Sequence, residues 1–162
     1  MSFSYGNVAV SDTQFFGYDE RRNIMDKKEI LNFFNANPAC HLGTVEGDTP
    51  RTRGMLMYRA DEKGVLFHTA SSKDLFKQLQ QNPKVELCFN NYEKGIQVRV
   101  SGVVEFLENK NLKEEIVKAR PFLKPMVETN GYEFLQVFRI THGVATVWTM
   151  ATNLGPKTYI KL

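Results

Sequence analysis

The chain has 162 residues, enough for one domain with a sizeable core. Apolar residues make up 42% and charged residues 24%, an ordinary globular balance, and no apolar run approaches the length of a membrane span. The net charge of +3, from 21 Lys and Arg against 18 Asp and Glu, is too small and too scattered to mark a nucleic-acid surface.

Residues 1–24 show no clear periodicity but carry Phe3, Tyr5, Phe15, Phe16 and Tyr18. A disordered tail is poorer in aromatics. This stretch therefore reads as an arm that packs on a partner subunit, ahead of a domain spanning 25–162. It lacks the basic-then-apolar order of a secretory signal. Cys40 and Cys88 each lie in an apolar strand-like run without a CxxC pair, and read as small buried hydrophobes. Together these features predict a cytoplasmic protein.

Asp26 to Ala36 predicts the first helix. Asp26 can cap it, Glu29 three residues on completes a capping box, and Ile30, Phe33 and Phe34 form its buried stripe. Asn37-Pro38 ends it. Strands are predicted over Ala39–Val45 and, after Pro50, over Arg51–Arg59, with Ala60 to Gly64 as a hairpin loop.

Val65–Thr69 is a strand, rich in β-branched and aromatic residues. Ala70-Ser71-Ser72 turns the chain into a helix over Lys73–Gln81, with Leu75, Phe76 and Leu79 on one face. Ser71 or Ser72 reads as its N-cap. The first turn of a helix has N–H groups without partners, so this corner, with Lys73 and its hydroxyls, suits an anion, most simply a phosphate. A plain cap and a solvated lysine would account for the same residues, so the corner alone does not decide.

Lys84–Asn90 is the next strand, and Glu93-Lys94-Gly95 turns into Ile96–Leu107. There Ile96, Val98 and Val100 alternate with Gln97, Arg99 and Ser101, and Gly102 marks a bulge. Asn109–Arg120 is a further amphipathic helix ended by Pro121. Residues 121–131 read as a connection. Two final strands are expected, Tyr132–Ile140 and Val144–Met150, joined at Thr141-His142-Gly143. Six or seven strands with mostly hairpin-length loops and three helices predict a mainly β fold, an antiparallel barrel with peripheral helices.

With this order, the chain resembles the pyridoxamine 5′-phosphate oxidase-like family of FMN-binding split barrels. The resemblance rests on Arg53-Gly54-Met55-Leu56-Met57, Phe67-His68-Thr69, Ser72-Lys73, Asn82-Pro83-Lys84-Val85 and Gln97-Val98-Arg99-Val100-Ser101-Gly102, in that order, and on the run from Phe138-Arg139-Ile140 to Trp148. It implies FMN as cofactor. Arg53 and Lys73 would pair with the phosphate, and Ser72 and Thr69 would hydrogen-bond it. Residues 54–58, including Gly54, Met55 and Leu56, would line the flavin with His68. Gln97 would reach the ribityl chain or ring edge, and Trp148 would sit near the flavin from the same or a second subunit, because family members are usually homodimers with the cofactor at the interface. Taken alone, Gln97 and Arg99 read as the solvent face of a strand and Trp148 as a core residue.

The chain also departs from the true oxidase. Its corner is the short TASSK, without the extra Arg before the Lys, and Thr149–Leu154 carries no charge where the oxidase has a basic substrate-binding segment. The match is closer to short, general-stress-like members. The expected function is therefore an FMN-dependent oxidoreductase acting on an unidentified small molecule, with no residue marked as acid or base. A non-catalytic flavin carrier or sensor, and a split barrel holding haem or a deazaflavin, are the alternatives.

Overall fold

The computed structural model describes residues 25–162, and the arm expected over residues 1–24 lies outside the described residues. Helix α1 (Lys27–Ala36) begins as its capping box dictates. The Asp26 carboxylate accepts from the Glu29 N–H at 2.8 Å, and the Glu29 carboxylate accepts from the Asp26 N–H at 2.7 Å. Met25, just before the cap, and Ile30, one turn in, are both buried in the main core, as a hydrophobic staple places them.

Strands β1 (Ala39–Glu46), β2 (Thr49–Leu56), β3 (Arg59–Asp61), β4 (Gly64–Ala70), β5 (Lys84–Asn91), β6 (Ile96–Phe106), β7 (Leu135–Thr149) and β8 (Ile160–Lys161) form one sheet. Its order is β2-β1-β5-β6-β7-β4-β3, with β8 added on β7, and every pairing is antiparallel. Helices α2 (Asp74–Gln81), α3 (Lys110–Ala119) and α4 (Lys124–Asn130) complete the described chain. The mainly β, antiparallel architecture with peripheral helices is the one expected. Helix α2 makes the crossover the sequence implied, joining β4 to β5, which are not neighbours in the sheet; the link from β2 to β3 is a second one that the sequence did not indicate.

The alternation on β6 fixes what the barrel encloses: Ile96, Val98 and Val100 are 5%, 0% and 1% exposed. Phe34 from α1 stacks on Phe89 of β5 with ring centroids 4.2 Å apart, so α1 closes one end of this core. A second apolar cluster, including Leu66, Ile116, Val127 and Val137, lies between the sheet and α3–α4. The β6–β7 register shifts at Gly102, between Ser101 and Val103, but the extra residue is on β7, where His142 and Gly143 stand opposite Gly102. A Cβ at Gly102 would come within 2.6 Å of Ile140 Cγ2 and 2.8 Å of the Thr141 carbonyl, so the close approach requires glycine.

Four expectations are corrected. The single strand over Arg51–Arg59 breaks at Met57-Tyr58, where the Met57 N–H donates to Pro38 O and the Tyr58 N–H to Leu66 O, carrying the chain from the edge of β1 to that of β4. The two final strands are one: His142 takes a φ of 52°, and β7 bends there without ending. The stretch over 121–131 holds a short 3-10 turn (Pro121–Leu123) and α4, with each proline in a first turn where no N–H is needed. Strand β8 was not anticipated. Among the described residues no helix is long and apolar enough to cross a membrane.

Candidate functional site

Strand β2 and the end of β4 part beyond the Met57-Tyr58 corner, and a groove of about 960 Å³ opens between them. Arg51, Arg53, Gly54, Met55 and Leu56 line it from β2, and His68, Thr69 and Ala70 from β4. Ser72, Lys73, Leu75 and Gln78 close it at the start of α2, and Arg120, Phe122 and Met126 on the opposite side. Eight residues singled out in the sequence thus meet in one place: Arg53, Gly54, Met55, Leu56, His68, Thr69, Ser72 and Lys73.

Neither Ser71 nor Ser72 caps α2. The Lys73 N–H donates back to Ala70 O at 3.1 Å, which closes the turn and puts Lys73 itself in the cap position. Lysine has no acceptor, so no side chain caps the helix. Its first turn stays open to an acceptor from outside, with the exposed Ser72 and Lys73 beside it. Asp74 lies in the same turn, and its carboxylate is 3.9 Å from the Lys77 ammonium.

Arg53 is held by several partners at once. It faces inward with its cross-strand partner Leu42. Its Nη1 donates to the Leu42 carbonyl at 3.2 Å and to Thr44 Oγ1 at 2.7 Å, and its Nη2 donates to Gln78 Oε1 at 2.6 Å. Thr44 in turn donates to Gln78 Oε1 at 2.7 Å. Burial, and then the nearby Arg51, lower the proton affinity of the Arg53 guanidinium, while Glu46 opposes them. Glu46 is itself held below the usual carboxylate range, chiefly by its hydrogen bond with Arg51.

At the other end of the groove His68 Nε2 lies 2.6 Å from Arg120 Nη1. Arginine can only donate, so Nε2 is the acceptor and the ring proton is on Nδ1. Burial, then Arg120 and then Lys73 depress the His68 pKa to about 4, and the ring is neutral at physiological pH. Arg120 also donates to the Leu56 and Met57 carbonyls, at 3.2 and 2.6 Å, and stacks 5.4 Å over the Tyr58 ring. Leu56 and Phe122, 50% and 67% exposed, give this end an apolar rim.

Gln97 and Trp148 do not reach the groove within one chain. They are cross-strand partners on β6 and β7, on the outward face of the sheet. Gln97 donates to Asn90 and Trp148 Nε1 donates to Asn153. Thr44, Gln78 and Arg120 were not singled out from the sequence. Gln78 sits in the polar run KQLQQ, where a buried glutamine has no distinguishing signal. Arg120 falls at the end of α3, where a cation reads as complementing the helix dipole.

Residues 26–130 match the family model described as pyridoxamine 5′-phosphate oxidase. No curated protein matches the chain. Among solved structures, a nimC/nimA family protein from Clostridium acetobutylicum is 29% identical, with 83% of this chain and 92% of that one covered at a TM-score of 0.69. A Clostridium acetobutylicum protein related to general stress protein 26 of B. subtilis, of the pyridoxinephosphate oxidase family, is 17% identical over 90% of this chain and 97% of that one, TM-score 0.63. A pyridoxamine 5′-phosphate oxidase-related, FMN-binding protein from Nostoc punctiforme is 12% identical over 84% and 96%, TM-score 0.57. The motifs from Arg53 to Gln97 fall inside the matched stretch, and that stretch covers well over half of the sequence. The chain belongs to the pyridoxamine 5′-phosphate oxidase family, with its split-barrel fold.

Proposed function

We propose that the groove holds FMN and that the protein is an FMN-dependent oxidoreductase acting on a small organic molecule. One observation carries this reading: Arg53, Thr69, Ser72 and Lys73 meet from three elements around an uncapped helix start, at one end of a groove of flavin size. A phosphate needs cations and N–H donors together, and this end supplies both. Thr69 is buried but for its edge on the groove, and among the described residues neither its hydroxyl nor that of Ser72 has a hydrogen-bond partner. Along β2, a Cβ built on Gly54 meets nothing within 4 Å, which leaves room for a flat ring against the main chain.

Bound there, a flavin supplies hydride and electron transfer, while the protein supplies binding, orientation and access. Lys73 and Arg53 anchor the charged end. His68, neutral and with Nε2 taken by Arg120, offers the groove a hydrogen-bonding ring rather than an acid. The same bond leaves it unfit to ligate iron, which favours a flavin over haem. The FMN-binding Nostoc punctiforme relative supports the cofactor. We also place a second copy of the chain over the groove as a homodimer, bringing Gln97 and Trp148 to it. The outward, half-exposed position of that pair and the exposed edge strand β2 favour this arrangement.

The test is the visible spectrum of the purified protein, as isolated and after incubation with FMN and desalting. Retained flavin bands with altered fluorescence are expected. A colourless protein that does not keep FMN refutes the proposal. Turnover with a reduced nicotinamide then separates an enzyme from a flavin carrier.

A further inference from the structure

Arg53 does not find its orientation alone. Thr44 and Gln78 are 3% and 5% exposed, so two polar side chains are taken out of water at one spot at the floor of the groove. Burying polar groups costs free energy unless they are hydrogen-bonded, and here they are bonded to one another and to the guanidinium. Arg53 Nη1 donates to Thr44 Oγ1 at 2.7 Å, Thr44 donates to Gln78 Oε1 at 2.7 Å, and Arg53 Nη2 donates to that same oxygen at 2.6 Å. The ring closes with each donor and acceptor matched. It also fixes the Gln78 amide, because neither donor could bond to an NH2 group. Gln78, after Arg51, also helps to hold the Glu46 carboxyl below its ordinary range.

The ring uses the outer end of the guanidinium, and the Leu42 carbonyl uses one more Nη1 hydrogen. Nε–H and the second Nη2–H remain. Those two lie parallel on one edge, the fork that grips two oxygens of a phosphate.

We infer that Gln78 and Thr44 are positioning residues that lock the Arg53 guanidinium with its free fork turned to the groove, and so set the selectivity for a phosphorylated flavin over its dephosphorylated form. This rests on the flavin reading above. Thr44 does not line the groove, and the Gln78 amide oxygen at its edge is already taken by Thr44 and Arg53, so both act through Arg53. Gln78 matters for a second reason, because it stands on α2, the helix whose uncapped start offers the other donors. It therefore holds the cation in register with those donors.

The experiment compares FMN and riboflavin binding, by quenching of flavin fluorescence, in the wild type, Gln78→Leu, Thr44→Val and Thr44→Ser, with a melting curve for each. The wild type is expected to prefer FMN. Gln78→Leu and Thr44→Val should weaken FMN about tenfold and leave riboflavin within about twofold, while Thr44→Ser, which keeps the hydroxyl, retains FMN affinity. Equal losses for both flavins would show a merely structural role and overturn the inference, as would unchanged FMN binding in both variants. If Gln78→Leu does not fold, Thr44→Val against Thr44→Ser decides alone. A wild type that binds neither FMN nor inorganic phosphate overturns the flavin reading together with this one. FMN binding in the wild type, unchanged in the variants, sinks only the positioning role.

Discussion

His68 makes the stability of this protein acid-sensitive in a calculable way. In the unfolded chain its imidazole takes up a proton near pH 6.5, but in the folded protein only near pH 4, because burial and then the Arg120 and Lys73 charges oppose the cation. Between those values the unfolded state binds more protons than the folded one, so stability falls as pH falls. The loss starts below about pH 6.5 and is complete below about pH 4; at pH 7 none of it is felt. A shift of this size is an upper limit of about 3 kcal/mol, and contact with the open groove screens it to roughly 1–2 kcal/mol. The assay is urea denaturation of the wild type and His68→Asn at pH 7 and pH 4.5, with NMR titration of the His68 ring. The wild type should lose about 1–2 kcal/mol more than the variant over this range. Equal pH dependence in the two proteins, or an imidazole that titrates near 6.5, would refute the reasoning.

Lys73→Ala removes a cation that has no ion pair among the described residues, so folding should be unaffected while FMN affinity drops about tenfold by fluorescence titration. Unchanged affinity would take Lys73 out of the phosphate site. Gly54→Val adds a side chain where nothing lies within 4 Å, on an edge strand; the melting temperature should hold and flavin binding should fall. A variant that binds FMN normally would show that the ring does not lie against β2. Phe34→Ala opens a cavity at a side chain that is 0% exposed and stacked on Phe89, and should cost about 3–5 kcal/mol in chemical denaturation. A loss below about 1 kcal/mol would mean that the core end closed by α1 collapses around the gap.

What the sequence shows well is local pattern. The Asp26–Glu29 box starts α1 and period-two alternation marks β6, because each is set by residues close together in the chain. The groove was legible because its members come as short motifs on consecutive elements. The failures are places where distant partners decide. Thr141-His142-Gly143 looks like a turn, yet pairing with β6 on both sides of it carries β7 through as a bulge, with His142 left-handed. Serine is the better cap residue, yet the Ser71 N–H is taken by the Phe134 carbonyl far along the chain, and the turn closed by the Lys73 N–H on Ala70 starts the helix past both serines. Gln78 and Thr44 are ordinary polar residues until the fold buries them together under Arg53.

Arg53 and Lys73, two of the four cations that line the groove, are held in opposite ways, and this separates substitutions that look alike. Arg53 is fixed by three hydrogen bonds to groups on β1 and α2, whereas Lys73 is exposed and has no ion pair among the described residues. Arg53→Lys keeps the charge but replaces the fork by a point donor, which cannot reach both Thr44 and Gln78 and still present a second edge to a ligand. The Thr44–Gln78 bond survives this change, so stability should stay within about 1 kcal/mol while FMN affinity falls about tenfold or more. Lys73→Arg should be tolerated, because an exposed charge at a helix start needs only to be a charge. Isothermal titration of FMN into the two conservative variants measures the contrast directly. Equal affinities would mean that the groove reads net charge and that the ordered guanidinium contributes nothing of its own.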